Sequence, residues 1–164
     1  MKNGKKILLI ALALVLVAST VLAFTGPGKW VGIKKGQDLT VNVGRAGVSY
    51  TDSFYAGTVN VWRQGATGVY HAPKNFEFTQ MLVGVKFYDK NWNRIQTVTG
   101  AVYVFFDLRA KEQKAFRDNR LSIYYYDTWK GLWTACPTYT INGGARAVCR
   151  IRNYGVYGLL FRDP

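Results

Sequence analysis

Beyond residue 36 the chain breaks into short runs of Val, Ile, Tyr, Phe and Thr, closed by turn-forming residues about every ten positions. Seventeen glycines and four prolines supply much of that punctuation. No segment carries a convincing apolar stripe of helical period, so strands are the economical reading. They are expected at 38–43, where Leu39, Val41 and Val43 alternate, and at 58–63, 76–88, 95–98 and 101–108. Further strands follow at 121–126, 132–136, 138–141, 145–152 and 155–161. The polar run Asp89-Lys90-Asn91-Trp92-Asn93 reads as a hairpin loop. Residues 109–118, RAKEQKAFRD, hold good helix formers and few β-formers, so one or two helical turns are expected there. Several short strands with one small helix and no βαβ alternation predict an all-β fold: a single antiparallel β-sandwich with one short helix.

The first residues have a different character. Lys2, Lys5 and Lys6 precede residues 7–24, eighteen positions without a charge, which is the pattern of an export signal. Val21-Leu22-Ala23 places small residues as a signal peptidase needs them, favouring cleavage after Ala23. The apolar run is also long enough to span hydrocarbon as a helix, so an uncleaved anchor stays open. Either way the lysines hold the N-terminus in the cytoplasm and put the domain outside. No cysteine follows the run to take a lipid. The expected organisation is a signal peptide or membrane anchor at 1–23, a leader at 24–36 and the β domain at 37–164. A net charge of +13 less these three lysines leaves +10 on the rest of the chain. That field favours acidic partners such as an anionic surface polymer or polysaccharide, though plain solubility would also account for it.

Cys136 and Cys149 permit a register argument. Asn142-Gly143 is the strongest hairpin signal in the chain, because a type I′ turn needs positive φ at both central residues. A two-residue loop there pairs Ile141 with Gly144, Tyr139 with Arg146 and Cys136 with Cys149, the last at a non-hydrogen-bonded site with Cα atoms about 4.5 Å apart. A disulfide is therefore expected, in keeping with an oxidising compartment. Pro137 cannot donate to a ladder, which predicts an edge strand or a bulge. The same register opposes Trp133 to Arg152. It gathers Trp133, Tyr139, Arg146, Arg150 and Arg152 on one face, either as a platform for an anionic polymer or sugar ring or as a self-stabilised solvent face.

Reaction chemistry is hard to find. His71 is the only histidine, and after the apolar segment only Ser49, Ser53 and Ser122 remain as serines, so no triad emerges from spacing. No metal-ligand set is expected once the cysteines are bridged, and no cofactor. Glu77 and Glu112 are the only glutamates, and nothing in the sequence pairs them across a cleft. Gly26-Pro27-Gly28-Lys29 lacks phosphate-loop spacing. The expectation is a non-enzymatic protein.

The aromatic run Tyr124-Tyr125-Tyr126-Asp127, followed by Leu132-Trp133-Thr134, a hairpin, and Tyr154-Gly155-Val156-Tyr157-Gly158-Leu159-Leu160, resembles the closing strands of ZU5-like sandwich modules on bacterial surface proteins. The resemblance spans about residues 121–161 and implies a structural or adhesive role outside the cytoplasm. The reading is thus an exported, non-enzymatic cell-surface domain that binds an anionic envelope polymer, a polysaccharide or a surface protein. Two alternatives stay open: a carbohydrate-binding module using Trp92, Trp129 and outward tyrosines, and an accessory subunit of a membrane complex associated through residues 7–24. Nucleic acid is the poorer partner, because the location is wrong and no nucleic-acid motif is visible.

Overall fold

A computed structural model describes residues 28–163 apart from Thr67 and Met81; the expected signal or anchor and its cleavage site lie outside the described residues. The described chain is mostly antiparallel β in two sheets, with one short helix. The first sheet runs β1 (Lys29–Ile33), β4 (Gly57–Gln64), β6 (Leu82–Asp89), β13 (Gly155–Arg162), β9 (Leu121–Asp127), β10 (Leu132–Ala135), with β5 (Phe76–Phe78) on β13 and β7 (Arg94–Ile95) on β6. The second runs β11 (Thr138–Ile141), β12 (Arg146–Arg150), β8 (Ala101–Asp107), β3 (Ala46–Thr51), β2 (Leu39–Val43). Among the described residues no helix is long and apolar enough to cross a membrane.

Period-two alternation decides which face of each strand is buried. Val59 and Val61 of β4, Val83, Val85 and Phe87 of β6, Ile123 of β9 and Leu159 of β13 turn inward from the first sheet. Val41, Val48, Val104, Phe106, Ala147 and Cys149 come from the second, and all belong to the same core. The opposite face of the first sheet is partly roofed: Leu82, Tyr126 and Val156 form a smaller cluster under Tyr70, Phe78 and Trp133.

Helix α1 (Ala110–Arg117) lies where the helix-forming run predicts it. Its first turn is held by Glu112, which accepts the Arg109 N–H and forms a two-pronged pair with the Arg45 guanidinium at 2.9 and 3.2 Å. Asp118 accepts from Lys114 at the other end.

Four expectations need correction. Residues 29–33, assigned to the leader, form β1 on the edge of the first sheet, where Trp30 and Gly32 face outward and Val31 and Ile33 inward. Residues 46–51 form β3, a central strand that the pattern missed. The run 76–88 is two strands, because Thr79 turns its N–H to the Leu159 carbonyl between them. The run 95–98 keeps only Arg94–Ile95 as strand and an isolated bridge from Thr97 to Asn153.

The Asn142-Gly143 register also fails. Both residues take positive φ, as expected, but Gly144 does too, at 89°. The Ala145 carbonyl is claimed by Leu108 of the neighbouring connection, so the loop takes four residues. Ile141 then opposes Arg146, Tyr139 opposes Val148, and Thr138, not Cys136, opposes Cys149.

Candidate functional site

The site is built where the chain passes from one sheet to the other. β10 pairs with β9 in the first sheet, whereas β11 pairs with β12 in the second. Cys136 and Pro137 make the crossing. The Cys136 N–H still donates to Ile123 of β9, and Thr138 Oγ1 accepts the Ile123 N–H while donating to the Cys136 carbonyl. Pro137 sits between these bonds, next to the edge strand β11, as its missing N–H requires.

Cys136 is bonded to Cys149 of β12, as expected, with Cα atoms 6.0 Å apart. This bridge ties the crossing to the second sheet. It is not a directly opposed cross-strand pair, so the separation exceeds the close spacing that the two-residue loop predicts.

Beside the bridge opens a cavity of about 420 Å³ lined by Tyr125, Tyr139, Tyr157, Arg150 and Arg152 together with the Cys136-Pro137 crossing. Tyr139 meets Tyr103 edge-on at 6.3 Å. The Arg150 guanidinium donates through Nη2 to the carbonyls of Thr99 and Gly100, which holds its charged end while the residue stays exposed. No carboxylate lines the cavity. Among the described residues neither Arg150 nor Arg152 has an acidic partner.

Burial raises the pKa of the surrounding phenols. Tyr157 is held far above the ordinary tyrosine range by desolvation, and its hydroxyl donates to the Asn153 carbonyl at 2.7 Å. Tyr125 and Tyr139 are also raised, chiefly by desolvation. The cavity therefore presents neutral hydroxyls and two permanent cations at neutral pH. Such a lining receives an anion or a hydroxylated ring; it holds no acid–base pair.

Of the residues expected on one basic aromatic face, Tyr139, Arg150 and Arg152 meet here. Arg146 does not join them. It is bound to Asp107 at 2.6 Å and stacks over Phe105 at 4.0 Å, so its charge is used within the sheet. Trp133 lies in the other sheet and opposes Tyr126, not Arg152; its ring packs on Tyr126 and Phe78, and Nε1 donates to the His71 carbonyl. The local turn rule misplaced it because the chain leaves that sheet at Pro137.

Trp129 stands 95% exposed at the β9–β10 turn, whose backbone N–H groups are gathered by the Asp127 carboxylate. Trp92 sits with Trp30 and Tyr88, ring centroids 5.9 to 6.0 Å from it. Tyr125 and Tyr157 were missed as site residues because their strand positions read as core. The signal that could have found them is their common opposition on β9 and β13.

The two glutamates, unpaired in the sequence reading, line a second cavity of about 440 Å³ with Arg109 and Lys111. Both oxygens of Glu112 are already bonded to Arg45 and to the helix, which leaves no free carboxylate pair. His71 Nδ1 is 3.0 Å from the Gly68 carbonyl. Among the described residues no group of three His, Cys, Asp or Glu is placed to hold a metal ion. Comparison with protein-family models, with curated proteins and with solved structures finds no match to this chain.

Proposed function

We propose that the chain is an extracytoplasmic, non-enzymatic β-sandwich domain that captures an anionic polymer of the cell envelope in the cavity beside the disulfide. The observation that carries the reading is the pairing of Arg150 and Arg152 with three tyrosines in a cavity without a carboxylate. Arginine binds carboxylate or phosphate by paired N–H donors, and tyrosine faces take sugar rings. The surplus of cations over the chain adds a long-range attraction for such a polymer. A bridged pair of cysteines and an apolar N-terminal run both favour a location beyond the membrane. The likeness of the closing strands to ZU5-like surface modules points the same way.

The test uses a polyuronate as the anionic probe and dextran as the neutral one. Arg150→Gln/Arg152→Gln should weaken polyuronate binding at least tenfold, while Lys111→Gln/Arg117→Gln, which removes the same charge elsewhere, should change it less than threefold. Equal losses in the two variants would reduce the interaction to net charge and end the assignment to this cavity.

A further inference from the structure

A second surface is built around Trp30, Tyr88 and Trp92. Trp30 and Tyr88 lie on the outward face of the first sheet, at 5.5 Å between ring centroids, and Trp92 closes the triangle from the β6–β7 turn. Trp30 is 56% and Trp92 64% exposed. Indole rings left in water at that level have no role in folding the core.

The turn is constructed to hold Trp92 out. Its φ is 64°, a left-handed conformation that a bulky residue rarely adopts. The Asp89 carboxylate accepts from the N–H groups of Asn91 and Asn93 and from Asn93 Nδ2, while the Trp92 N–H donates to the Asp89 carbonyl. These hydrogen bonds hold the Asp89 carboxyl below the ordinary carboxylate range. Strained backbone kept in place by four bonds, all to present an indole to solvent, marks a contact surface.

What covers it follows from the chain that leads into it. The eighteen uncharged residues 7–24 are separated from Lys29 by four residues, so Trp30 lies within about 20 Å of the end of the apolar run along any extended path. At Gly28 the backbone lies against the outward face: a Cβ there would come within 3.1 Å of the Asn60 side chain and 3.2 Å of Trp62 Cβ. Lys86 shares that face, with its ammonium over Trp62, and Lys90 stands two positions before Trp92 in the same turn. Tryptophan and tyrosine with lysine nearby is the composition of a membrane–water interface, where indole sits at headgroup level and ammonium meets lipid phosphate.

We propose that the Trp30–Tyr88–Trp92 face lies on the lipid surface, with residues 7–24 retained as the anchor that brings it there. This contact is separate from the polymer-binding cavity and does not depend on it.

The experiment reconstitutes the full chain into vesicles of three parts phosphatidylethanolamine to one part phosphatidylglycerol and reads tryptophan quenching by lipids brominated near the headgroup. The quenched fraction should fall by at least half in Trp30→Phe/Trp92→Phe and stay unchanged in Trp129→Phe. Quenching that survives the double variant, or that is lost with Trp129, overturns the proposal. Rings shielded from aqueous acrylamide but untouched by brominated lipid would place a protein, a second copy included, on this face and equally overturn it. So would a native protein that begins at Phe24, since the tether would be gone. Polyuronate affinity in the same double variant stays at the wild-type value, which keeps failure here distinct from failure of the cavity assignment.

Discussion

Removal of the disulfide at its exposed end measures what the crossing between sheets contributes. Cys136→Ala is the cleaner change, because Cys149 is fully buried in the core and keeps its sulfur there, whereas Cys136 is only partly buried. The bridge closes a loop of sequence separation 13, for which the chain-entropy relation gives about 3 kcal/mol at 25 °C. In a domain of this length that is a fall of about 10 °C in Tm. Urea unfolding should show the same loss as a lower midpoint, together with a larger denaturant slope, because the unlinked denatured chain exposes more surface. The loss should also be local. β11 is a four-residue edge strand bonded to β12 alone, and its start is fixed by the bridge and by Thr138. Its amide protection against hydrogen exchange should drop first, ahead of β8 and β3. A cost below about 1 kcal/mol, or unchanged protection at Tyr139 and Ile141, would refute the claim that the sulfur link holds the crossing.

Three other perturbations follow from the packing. Gly84→Ala puts a Cβ 2.0 Å from Trp62 Cε2, so the indole must leave its seat; a loss of about 2 kcal/mol in chemical denaturation is expected. Glu112→Gln weakens the Arg45 pair and the first turn of α1 together, for about 2 kcal/mol, with the helix losing protection before the strands do. The phenols of Tyr50, Tyr55 and Tyr157 are raised well above the ordinary tyrosine range, chiefly by desolvation. The folded state then holds protons that the unfolded state releases, so stability is full below about pH 10 and falls as pH rises beyond it. Urea midpoints that stay flat through that window, with tyrosinate absorbance rising in the folded protein, would contradict the burial of these hydroxyls.

The strands with clean alternation were legible because one face of each is core: Leu39, Val41 and Val43 announce β2, and Val59 and Val61 announce β4. β1 and β3 hid for different reasons. In β1 the outward positions are Trp30 and Gly32 on an exposed edge, which erases the polar half of the alternation. In β3 small residues are required: a Cβ on Gly47 would lie 2.0 Å from the Val41 carbonyl oxygen, so a central strand reads as a turn. The disulfide was legible although its register was not, because the bridge needs only proximity, and the exchange of a two-residue loop for four shifts the partners without changing faces. Tyr139 and Arg150 therefore stayed together. Trp133 was lost because a turn rule assumes that both arms share a sheet, and nothing local says that residues 132–135 belong to one and 138–141 to the other.

Six of the carboxylates are engaged away from the cavity beside the disulfide. Glu112 is taken by Arg45, Asp107 by Arg146, Asp118 by Lys114, and Asp127 by its own turn and Lys130. Asp89 closes the Trp92 turn, and Asp38 accepts the Asp52 N–H. Each of these acids serves a cap, a turn or a strand pair, and the fold fixes where each must stand. None of the positions lines the cavity at the sheet crossing, because that wall is made of a proline, a disulfide and three rings that need no ionic partner to pack. Arg150 is left with carbonyl contacts from its guanidinium, and Arg152 is joined to its surroundings through its backbone carbonyl, which accepts the Val98 N–H. On the proposed reading the counter-charge for these two cations is the acidic polymer, whose regularly spaced charges match a fixed pair of guanidinium groups.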